Sequence, residues 1–419
     1  MKKRLLPIFA LATIALASCG STSDWSWADA SADETLNYCL LIGQIDHNDS
    51  AARTAGIREA LGTRGSNTGK ATGGANSEVP EEGKLKLSDG VEYKTVEIEH
   101  AEQKTTAGVT WDSATATSTA ETWINKHGND IDFFVSNNDG MAEGAIGASN
   151  WIKGLPIFGY DSNNSTLQYI RDGKIMGTIN QNASAQAAGI YMLTRNCIDG
   201  VTDPTKSGFS EESSNGYGKI SSEYNFNETD KSMLVNNFAI TADNVDQYVD
   251  VAVKDLVDSA VKKGTTDTVN VWQSYYSSSD TFLNTSMKPL FAEYAPLFNF
   301  NVTQTFGNGS DESLSTSNLE SADASEYDAY IINMVKTTST ASYLETIATK
   351  VGATEANPTN VPVIFWNRQG TDNDGNVDTA NMADKRFKNI YYVGFDAVQG
   401  GELQGQMIVD YLNAQASSK

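Results

Sequence analysis

Residues 38–45 read Tyr-Cys-Leu-Leu-Ile-Gly-Gln-Ile and are followed directly by Asp-His-Asn-Asp-Ser-Ala-Ala-Arg at residues 46–53. The first segment is a short apolar run, which is typical of a strand buried on both faces of a parallel sheet. The second segment opens with residues that favour the start of a helix. The stretch therefore predicts a strand that leads straight into a helix, the repeating unit of an α/β fold.

This alternation recurs along the chain in two series. The predicted strands lie at 38–45, 93–98, 132–136, 156–160, 177–180 and 233–240, and then at 269–276, 298–305, 330–335, 361–366 and 390–395. Helical patterns separate them, as in a parallel sheet covered on both faces. We therefore predict an α/β protein with two Rossmann-like lobes joined by a hinge.

The domain boundaries follow from these two series. We predict a first lobe at 38–244, a connecting helix at 245–264 and a second lobe at 265–419. Apolar residues recur at helical spacing over the connecting segment, which favours one continuous helix. The stretches 65–90, 203–230 and 370–384 are rich in Gly, Ser, Asn and Asp and are predicted to be surface insertions.

Composition excludes several classes of protein. The 419 residues include 30 Lys and Arg against 53 Asp and Glu, a formal net charge of −23. A chain this acidic lacks the basic surface that binding to nucleic acid or to anionic lipid headgroups requires. Three cysteines and three histidines provide little material for a disulfide framework or a zinc site.

The N-terminus predicts export. Three basic residues at 2–4 precede an apolar stretch that is too short for a stable membrane-spanning helix. The stretch ends in Leu-Ala-Ser-Cys-Gly at 16–20, which resembles a bacterial lipoprotein signal, and this resemblance implies cleavage of residues 1–18 and lipidation of Cys19. An ordinary secretory signal with a chance cysteine is the alternative. Residues 19–37 are predicted to be a flexible tether.

Polar residues follow the predicted strands where parallel sheets bind ligands. His47, Asp49 and Arg53 lie beyond the first strand, although Asp49 as a helix cap with Arg53 as its partner would explain the same pattern. After the strand at 132–136, Asn137 is predicted to cap the next helix. That leaves Asn138 or Asp139 facing a cleft.

Several longer motifs together resemble the periplasmic galactose/glucose-binding proteins, the substrate-binding components of ABC sugar importers. They are Asp-His-Asn-Asp-Ser-Ala-Ala-Arg (46–53), Ser-Asn-Asn-Asp-Gly-Met-Ala-Glu-Gly-Ala (136–145), Leu-Pro-Ile-Phe-Gly-Tyr-Asp (155–161), Gly-Thr-Ile-Asn-Gln-Asn (177–182), Val-Trp-Gln-Ser-Tyr-Tyr-Ser-Ser-Ser-Asp-Thr-Phe (271–282), Asn-Val-Pro-Val-Ile-Phe-Trp-Asn-Arg (360–368) and Tyr-Tyr-Val-Gly-Phe-Asp (391–396). The resemblance implies the type I periplasmic binding protein fold.

The order of the two lobes differs from that of the family. In the family the lobe with the Asp-x-Phe motif comes first, whereas here Asp280 and Phe282 lie in the second lobe. We therefore expect a circular permutation, in which residues 245–264 join what would be the family's C- and N-termini. Permutation is tolerated where the chain ends lie close together on the surface.

The resemblance implies a set of residues that contact the sugar. In the first lobe these are His47, Asp49, Arg53, Trp111, Asn138, Asp161 and Gln181, and in the second they are Asp280, Phe282 and Asn367. Carboxylates, amides and a guanidinium can bond sugar hydroxyls, and two aromatic rings can cover the faces of a pyranose. A core aromatic residue close to the start of a helix would give the same pattern at Trp111 and at Phe282, and Gln181 stands where the family pattern has Asn.

Members of the family often bind calcium in a loop before the first strand of this lobe. The corresponding residues here are Asp29, Ser31, Asp33, Thr35 and Asn37, with Asp132 as the remote ligand. Alternating oxygen ligands suit a hard cation, but the glycine of the turn is replaced by Glu34. A structural calcium is thus an expectation beside that of a plain acidic linker, and no cofactor is required.

The resemblance implies a binding protein without catalysis. We expect it to be a monomeric, lipid-anchored protein of the periplasm or cell surface that closes around glucose or galactose. An ABC permease and its ATPase would be its partners. Two alternatives remain open, namely a sensor that presents the hexose to a chemoreceptor or kinase, and an enzyme that uses Asp49, Asp161 and His47 as acid and base on a glycoside.

Overall fold

The structure is a computed structural model that describes residues 24–65, 76, 78–210, 215–258, 261, 264 and 267–418. Its strands are β1 (Thr35–Ile42), β2 (Gly83–Lys86), β3 (Glu92–Glu102), β4 (Phe133–Ser136), β5 (Ile157–Phe158), β6 (Gly177–Asn180), β7 (Tyr224–Asn227), β8 (Ser232–Val235), β9 (Phe238–Thr241), β10 (Val269–Tyr275), β11 (Phe300–Phe306), β12 (Ala329–Ile332), β13 (Val363–Trp366) and β14 (Ile390–Phe395).

The helices lie between these strands. They are α1 (Trp27–Ala30), α2 (Asn48–Ala60), α3 (Ser113–His127), α4 (Asp139–Ile146), α5 (Asn164–Arg171), α6 (Ala183–Ile198), α7 (Val253–Leu256), α8 (Lys288–Tyr294), α9 (Glu312–Ser321), α10 (Thr340–Val351), α11 (Thr379–Met382) and α12 (Ala397–Ser417). A π-helical turn at Leu283–Met287 leads directly into α8. Among the helices of the described residues, none combines the length and the apolar character needed to cross a membrane.

The strands form two sheets, as the alternating pattern predicts. The first sheet has the order β2-β3-β1-β4-β5-β6-β9, and the second has the order β11-β10-β12-β13-β14-β8-β7. Neighbouring strands are parallel except at the edges, where β2, β9 and β7 run antiparallel. The prediction of an α/β protein with two lobes is confirmed.

Both faces of each sheet are buried. In β1, Leu40 and Ile42 contribute to one hydrophobic cluster, whereas Cys39 and Leu41 contribute to another on the opposite face. In β13 the alternation recurs between two further clusters. Because burial of one such side chain stabilises the fold by roughly 1.5–3 kcal/mol, these continuous apolar strands hold each lobe together.

The two lobes are interleaved in the chain, so the predicted boundaries at 38–244 and 265–419 are wrong. After β6 the chain crosses to the second lobe, where α6 packs against α8 and β14. It returns between β8 and β9, so the predicted single strand at 233–240 is in fact two strands in different sheets. After β14 it crosses again, and α12 packs on α2 in the first lobe. Apolar periodicity locates elements but does not show in which lobe each one packs.

The predicted connecting helix at 245–264 is also wrong for its described part. Residues 245–247 form a 3₁₀ turn, Asp250 has a φ of 60°, and helix α7 has four residues. Val245 packs in the first lobe, whereas Val253 packs against the core of the second. The apolar residues of this segment are thus divided between two lobes, and one straight helix could not reach both.

The described part of the predicted tether, from residue 24 onwards, is packed against the first lobe. Trp27 is buried with its ring centroid 5.8 Å from that of Tyr93. The backbone N–H of Trp25 donates to the carbonyl of Lys153 at 2.9 Å. Two tryptophans among polar residues supply enough apolar surface to dock this segment, which the Ser/Asp/Ala-rich composition obscured.

Candidate functional site

The polar residues that follow the strands meet at one edge of each sheet. Residues 47–53, 111, 138, 161 and 181 follow β1, β3, β4, β5 and β6 of the first sheet, and residues 276–282 and 367–368 follow β10 and β13 of the second. These are the carboxyl ends of parallel strands, where open α/β sheets bind ligands. The two edges face each other across the cleft.

The ten predicted contact residues line one cavity between the lobes. Its empty volume, which includes space open to solvent, is about 340 Å³. Two further residues, Tyr276 and Arg368, also line it. The complete lining is His47, Asp49, Arg53, Trp111, Asn138, Asp161, Gln181, Tyr276, Asp280, Phe282, Asn367 and Arg368.

Helix α2 begins at the cavity, and His47 is its cap. The Nδ1 atom of His47 accepts a hydrogen bond from the backbone N–H of Asp49 at 3.1 Å. Burial and the charges of Arg368 and Arg53 hold the His47 pKa well below its usual value, so the ring is neutral. The proton of a neutral ring whose Nδ1 accepts lies on Nε2, which is buried and has no partner among the described residues. The reading of Asp49 as the cap of α2 is therefore wrong.

Arg53 connects the elements of the first-lobe half of the cavity. Its guanidinium donates to the carbonyl of Asn137 at 2.7 Å and lies 3.6 Å from Oδ1 of Asp161. The carbon at its centre is 3.6 Å from the centroid of the Tyr160 ring. Asp161 also accepts from Nε2 of Gln181 at 2.5 Å. Because these side chains are buried and contact one another, they hold one another in place in this half of the cavity.

Burial raises the pKa values of the carboxylates in the cavity. The pKa of Asp49 rises to about 6, mainly through desolvation, which Arg53 and Arg368 partly oppose. The pKa of Asp161 rises to about 8, again mainly through desolvation, which Arg53 partly opposes; the charge of Asp280 in the other lobe raises it further. The two lobes thus bring like charges close together.

The prediction that Asn137 caps α4 is wrong, because Asn138 does so. The side-chain oxygen of Asn138 accepts from the N–H of Met141 at 2.9 Å, which leaves its amide nitrogen for the cavity. Asn137 points away from it, and its side-chain oxygen accepts from the hydroxyl of Ser50 and the N–H of Gly43. Two adjacent asparagines satisfy the same capping pattern, so the sequence could not distinguish them.

Trp111 is half-buried, and its ring packs closely against the backbone of Gly43. A Cβ atom at Gly43 would stand 2.1 Å from the Trp111 ring, so only glycine leaves room for the indole there. Trp111, Asp161 and Asn367 have φ values of 61°, 120° and 60°. Such left-handed conformations each cost on the order of 1–3 kcal/mol and cluster at functional sites.

The second lobe contributes fewer polar groups. Asp280 accepts from the N–H of Leu283 at 2.8 Å and from the hydroxyl of Tyr276 at 2.5 Å. Phe282 lines the cavity but is 95% buried, and it belongs to the core of its lobe. Phe282 is thus a core residue that also lines the cavity. Trp111 of the other lobe lines the cavity as well.

Arg368 closes the cavity on one side. Its guanidinium donates to the carbonyl of Val335 at 2.6 Å and to the side-chain oxygen of Gln44 at 3.4 Å, and Gln44 belongs to the first lobe. Its central carbon is 3.5 Å from the centroid of the Tyr276 ring. Arg368 and Tyr276 are not among the residues predicted to contact the sugar, although their positions close to Asn367 and Asp280 in the chain are a usable signal.

Comparison with known proteins agrees with this architecture. Residues 12–201 match a family described as a periplasmic binding protein domain, and residues 268–340 match a second family with the same description. The chain has the type I periplasmic binding protein fold.

A D-galactose/methyl-galactoside binding periplasmic protein of Haemophilus influenzae is 29% identical over 182 residues, which are 42% of this chain and 45% of that protein. The match thus spans less than half of the relative's length.

The solved structures to which the chain is similar include a solute-binding protein of an Agrobacterium vitis ABC transporter with bound D-fucose. Its TM-score is 0.47 at 8% identity, with 91% of this chain and 90% of that chain covered. A carbohydrate transporter solute-binding protein of Agrobacterium radiobacter in complex with D-arabinose has a TM-score of 0.45 at 9% identity, with 91% and 89% covered.

The carboxylates expected to bind calcium from the resemblance to the galactose/glucose-binding proteins accept hydrogen bonds in the described residues. Asp29 accepts from the hydroxyl of Ser26 within the turn that contains α1, and Asp33 accepts from the N–H of Thr35. Asp132 accepts from the N–H of Asn37 at 2.6 Å, and burial raises its pKa to about 8. In the part of the chain that the structure describes, no three His, Cys, Asp or Glu side chains form a group that could hold a metal ion. Calcium binding by this loop, whose expected ligands also include Ser31, Thr35 and Asn37, stays a prediction. Cys19 lies outside the described residues.

Proposed function

We propose that this chain is an extracytoplasmic sugar-binding protein of an ABC importer, and that it binds glucose, galactose or both in the cavity between its lobes. One observation carries the proposal. Ten residues that lie far apart in the chain, from His47 to Asn367, line a single cavity formed by both lobes. A chance collection of surface polar residues would not converge in this way.

The chemistry of the cavity suits a pyranose. A hexose presents hydroxyl groups around its rim, and each is both a donor and an acceptor. Nε2 of His47 offers a donor and Oε1 of Gln181 an acceptor, and both are buried with no partner among the described residues. A ligand that supplies the missing partners removes the free-energy cost of leaving such atoms unpaired. The rings of Trp111 and Phe282 offer apolar surfaces for the C–H faces of the sugar.

Calorimetric titration of the purified chain with a panel of monosaccharides tests this proposal. We expect saturable binding of glucose or galactose and much weaker binding of their epimers, because a displaced hydroxyl leaves a buried group unpaired. Absence of binding to every hexose in the panel would refute the proposal. The same titrations with Asp130→Ala, an exposed carboxylate of the same lobe, provide a control for non-specific effects of charge.

Binding rather than catalysis is what the contacts of the carboxylates favour. Asp161 is engaged by Arg53 and Gln181, and Asp280 by Tyr276 and a backbone N–H, so these groups are fixed as hydrogen-bond partners. Incubation with aryl galactosides and glucosides is expected to release no phenol. Release of phenol that Asp161→Ala abolishes would establish the enzyme alternative instead.

The proposal includes a lipid anchor at Cys19 and partners in the membrane. The sugar-loaded, closed form would be recognised by an ABC permease with its ATPase; a sensor that presents the same sugar to a chemoreceptor or kinase is the alternative. Metabolic labelling with a radioactive fatty acid tests the anchor. We expect labelling of the natural chain and none of Cys19→Ala, and labelling of both would remove Cys19 as the site.

Circular permutation is also part of the proposal, and the positions of the chain ends support it. Trp27 near the start and Leu412 near the end belong to one hydrophobic cluster, and Ser88 bonds to Asn413 and Ser417 at the end of α12. A direct link from α12 to β1 would restore an unbroken strand–helix alternation. Residues 242–268, which lead from the edge strand β9 to β10 in the other lobe, would then join what are the C- and N-termini in the family.

A rearranged chain tests the permutation. A short linker joins Ser418 to Asp24, and new termini are opened within residues 245–264. We expect this chain to fold and to bind the same sugar within about threefold of the original affinity, because no cavity residue is altered. A control chain opened within α6, which packs in the core of the second lobe, is expected to fail. Failure of the first chain would argue that residues 245–264 are an integral part of the fold.

A further inference from the structure

Asp161, which lines the cavity, has a backbone conformation that is strained for an aspartate. Its φ is 120°, and that of the next residue, Ser162, is 59°. Such conformations are disfavoured for residues other than glycine and persist only where the surrounding structure holds them. Other groups therefore fix this turn, and with it the direction of the Asp161 carboxylate.

One buried residue, Asp139 at the start of α4, bonds to this turn on both sides. Its backbone N–H donates to the carbonyl of Tyr160 at 2.7 Å, and its carboxylate accepts from the backbone N–H of Asn163 at 2.8 Å. Tyr160 and Asn163 flank Asp161 and Ser162 in the chain. Asp139 thus brackets the two residues whose backbone is strained.

Thr178 in β6 links the same carboxylate to the middle of the turn. Its hydroxyl donates to Asp139 at 2.8 Å and accepts from the backbone N–H of Ser162 at 3.2 Å. Both side chains are wholly buried. A Cβ atom at Gly159 would stand 2.1 Å from the Asp139 carboxylate, so only glycine leaves room for the carboxylate there. The turn is thus held by a buried network of hydrogen bonds.

Asp139 does not line the cavity itself. The sequence predicts that Asn138 or Asp139 faces the cleft, and the structure places Asn138 in the lining, whereas Asp139 has no exposed surface. Burial raises the pKa of Asp139, and the charge of Asp161 raises it further, so the two carboxyl groups are neighbours. An effect of Asp139 on a ligand is therefore exerted through Asp161.

We propose that Asp139 and Thr178 are positioning residues, which hold the turn at residues 160–163 so that the Asp161 carboxylate can bond the sugar. This inference rests on the proposed function, since it concerns the site at which the sugar binds. The hydrogen bonds of the two side chains, rather than their packing, supply the effect.

Two substitutions at Thr178 separate hydrogen bonding from packing. Thr178→Val keeps the shape of the side chain and removes the hydroxyl, whereas Thr178→Ser keeps the hydroxyl and removes a methyl group. Both leave the Asp139 carboxyl in place. Thr95→Val is the matched control, because Thr95 is also wholly buried in the first sheet and donates to the carbonyl of Leu61 at 2.5 Å. Thr95 pairs with Leu36 at the start of β1, whereas the cavity residues follow the ends of the strands.

Each variant is titrated with glucose and galactose by calorimetry, and its melting temperature is recorded without sugar. Thr178→Val should weaken the sugar by about tenfold, because the turn loses a buried hydrogen bond. Thr178→Ser should stay within about twofold of the natural chain. Thr95→Val should lower the melting temperature and leave the affinity unchanged.

Asp139→Asn provides a second variant. The bonds from Thr178 and Asn163 fall on different oxygens of the carboxylate, and an amide replaces one of these acceptors with a donor. We expect this variant to weaken the sugar at least as much as Thr178→Val does.

Unchanged affinity in Thr178→Val or in Asp139→Asn would overturn the inference and leave the proposed function intact. A loss in Thr178→Ser as large as that in Thr178→Val would assign packing to Thr178, and an equal loss in Thr95→Val would assign the effect to general stability. Each of these results also overturns the inference. If neither Thr178→Val nor Asp139→Asn folds, the bonds serve the fold as a whole and the inference is wrong. If the natural chain binds no sugar, the proposed function itself fails and this inference fails with it.

Discussion

The two halves of the cavity are built differently. In the first lobe, His47, Arg53, Asp161 and Gln181 are almost wholly buried, and each is fixed by contacts within that lobe. In the second lobe, Phe282 belongs to the hydrophobic core and Asp280 is held by its own helix start and by Tyr276. The first half carries more of the buried polar groups, whereas the second presents the rings of Phe282 and Tyr276 with Asp280, Asn367 and Arg368.

This difference indicates how binding divides between the lobes. A buried, interlocked polar half-site loses little conformational freedom when a ligand arrives, so it can select the sugar by its hydroxyls. The second half contributes mainly by covering that ligand when the hinge closes. Substitutions in the first lobe should therefore affect affinity most, and those in the second lobe should affect affinity less or act through stability.

The largest effect is expected for Asp161→Ala. The change removes an acceptor at the centre of the first half-site and leaves Arg53 and Gln181 without their buried partner. A buried group left without its partner costs about 1–3 kcal/mol, and more where that group is charged, as Arg53 is, so we expect sugar affinity to fall by at least about a hundredfold in calorimetric titration. Asp172→Ala, an exposed carboxylate at the end of α5, serves as the control. An unchanged affinity in Asp161→Ala would exclude this residue from the site.

The two rings provide the next comparison. Trp111→Ala should weaken the sugar at least about tenfold and leave the melting temperature without sugar nearly unchanged, because the half-buried indole adds little to the core. Phe282→Ala should weaken the sugar and also lower the melting temperature clearly, because loss of a core phenyl ring costs about 3–5 kcal/mol. Calorimetry of binding and differential scanning calorimetry separate the two effects. A stability loss in Trp111→Ala equal to that of Phe282→Ala would make Trp111 a core residue.

A smaller effect is expected for Tyr276→Phe in the second lobe. The change removes only the hydroxyl that donates to Asp280 and keeps the ring on which Arg368 lies. Loss of one such hydrogen bond corresponds to about 0.5–1.5 kcal/mol, so affinity should fall by roughly threefold to tenfold. The measurement is the same titration. A loss as large as that of Asp161→Ala would contradict the unequal division between the lobes.

The sequence predicted which residues meet in one cavity better than it predicted which lobe each helix and strand belongs to. Each candidate residue follows a strand, and the rule that parallel strands present their carboxyl ends at one edge is enough to bring Asp161, Gln181 and Asn138 together. The rule is local to each strand and holds wherever the following helix packs. Asn138 and Asp161 could thus be placed at the cleft from the residues alone, whereas Gln181 was assigned through the resemblance to the galactose/glucose-binding proteins.

The lobe to which each helix belongs could not be predicted in this way. Nothing in the apolar pattern of α6 or α12 distinguishes the core it packs against, since both cores present similar aliphatic surfaces. Residues 245–257 show the same limit, because their periodicity is real but serves two cores in turn. The choice between Asn137 and Asn138 as a cap depended on the direction of the backbone after β4.

The smallest expected effect concerns the charges that face each other across the cleft. Burial, with a further contribution from Asp280, raises the pKa of Asp161 to about 8. Asp161 therefore binds its proton more tightly in the folded chain than in the unfolded chain, where the pKa is about 3.9. Protonation of Asp161 therefore stabilises the folded chain. Its contribution to the free energy of unfolding is fully present below about pH 4 and is lost as pH rises through about 8.

Asp280→Asn removes the like charge from the other lobe and should lower the pKa of Asp161. The melting temperature of the sugar-free protein should then fall less steeply between pH 5 and pH 9 than that of the natural chain, with the gap between the two curves widening towards pH 8. Asp132, whose pKa is also about 8, lies at the opposite end of β4 and contributes the same trend to both proteins. Asp132→Asn should therefore also flatten the curve while leaving sugar affinity unchanged. Parallel curves for Asp280→Asn and the natural chain would mean that Asp161 and Asp280 do not face each other in the sugar-free protein, and that the lobes stand open without a ligand.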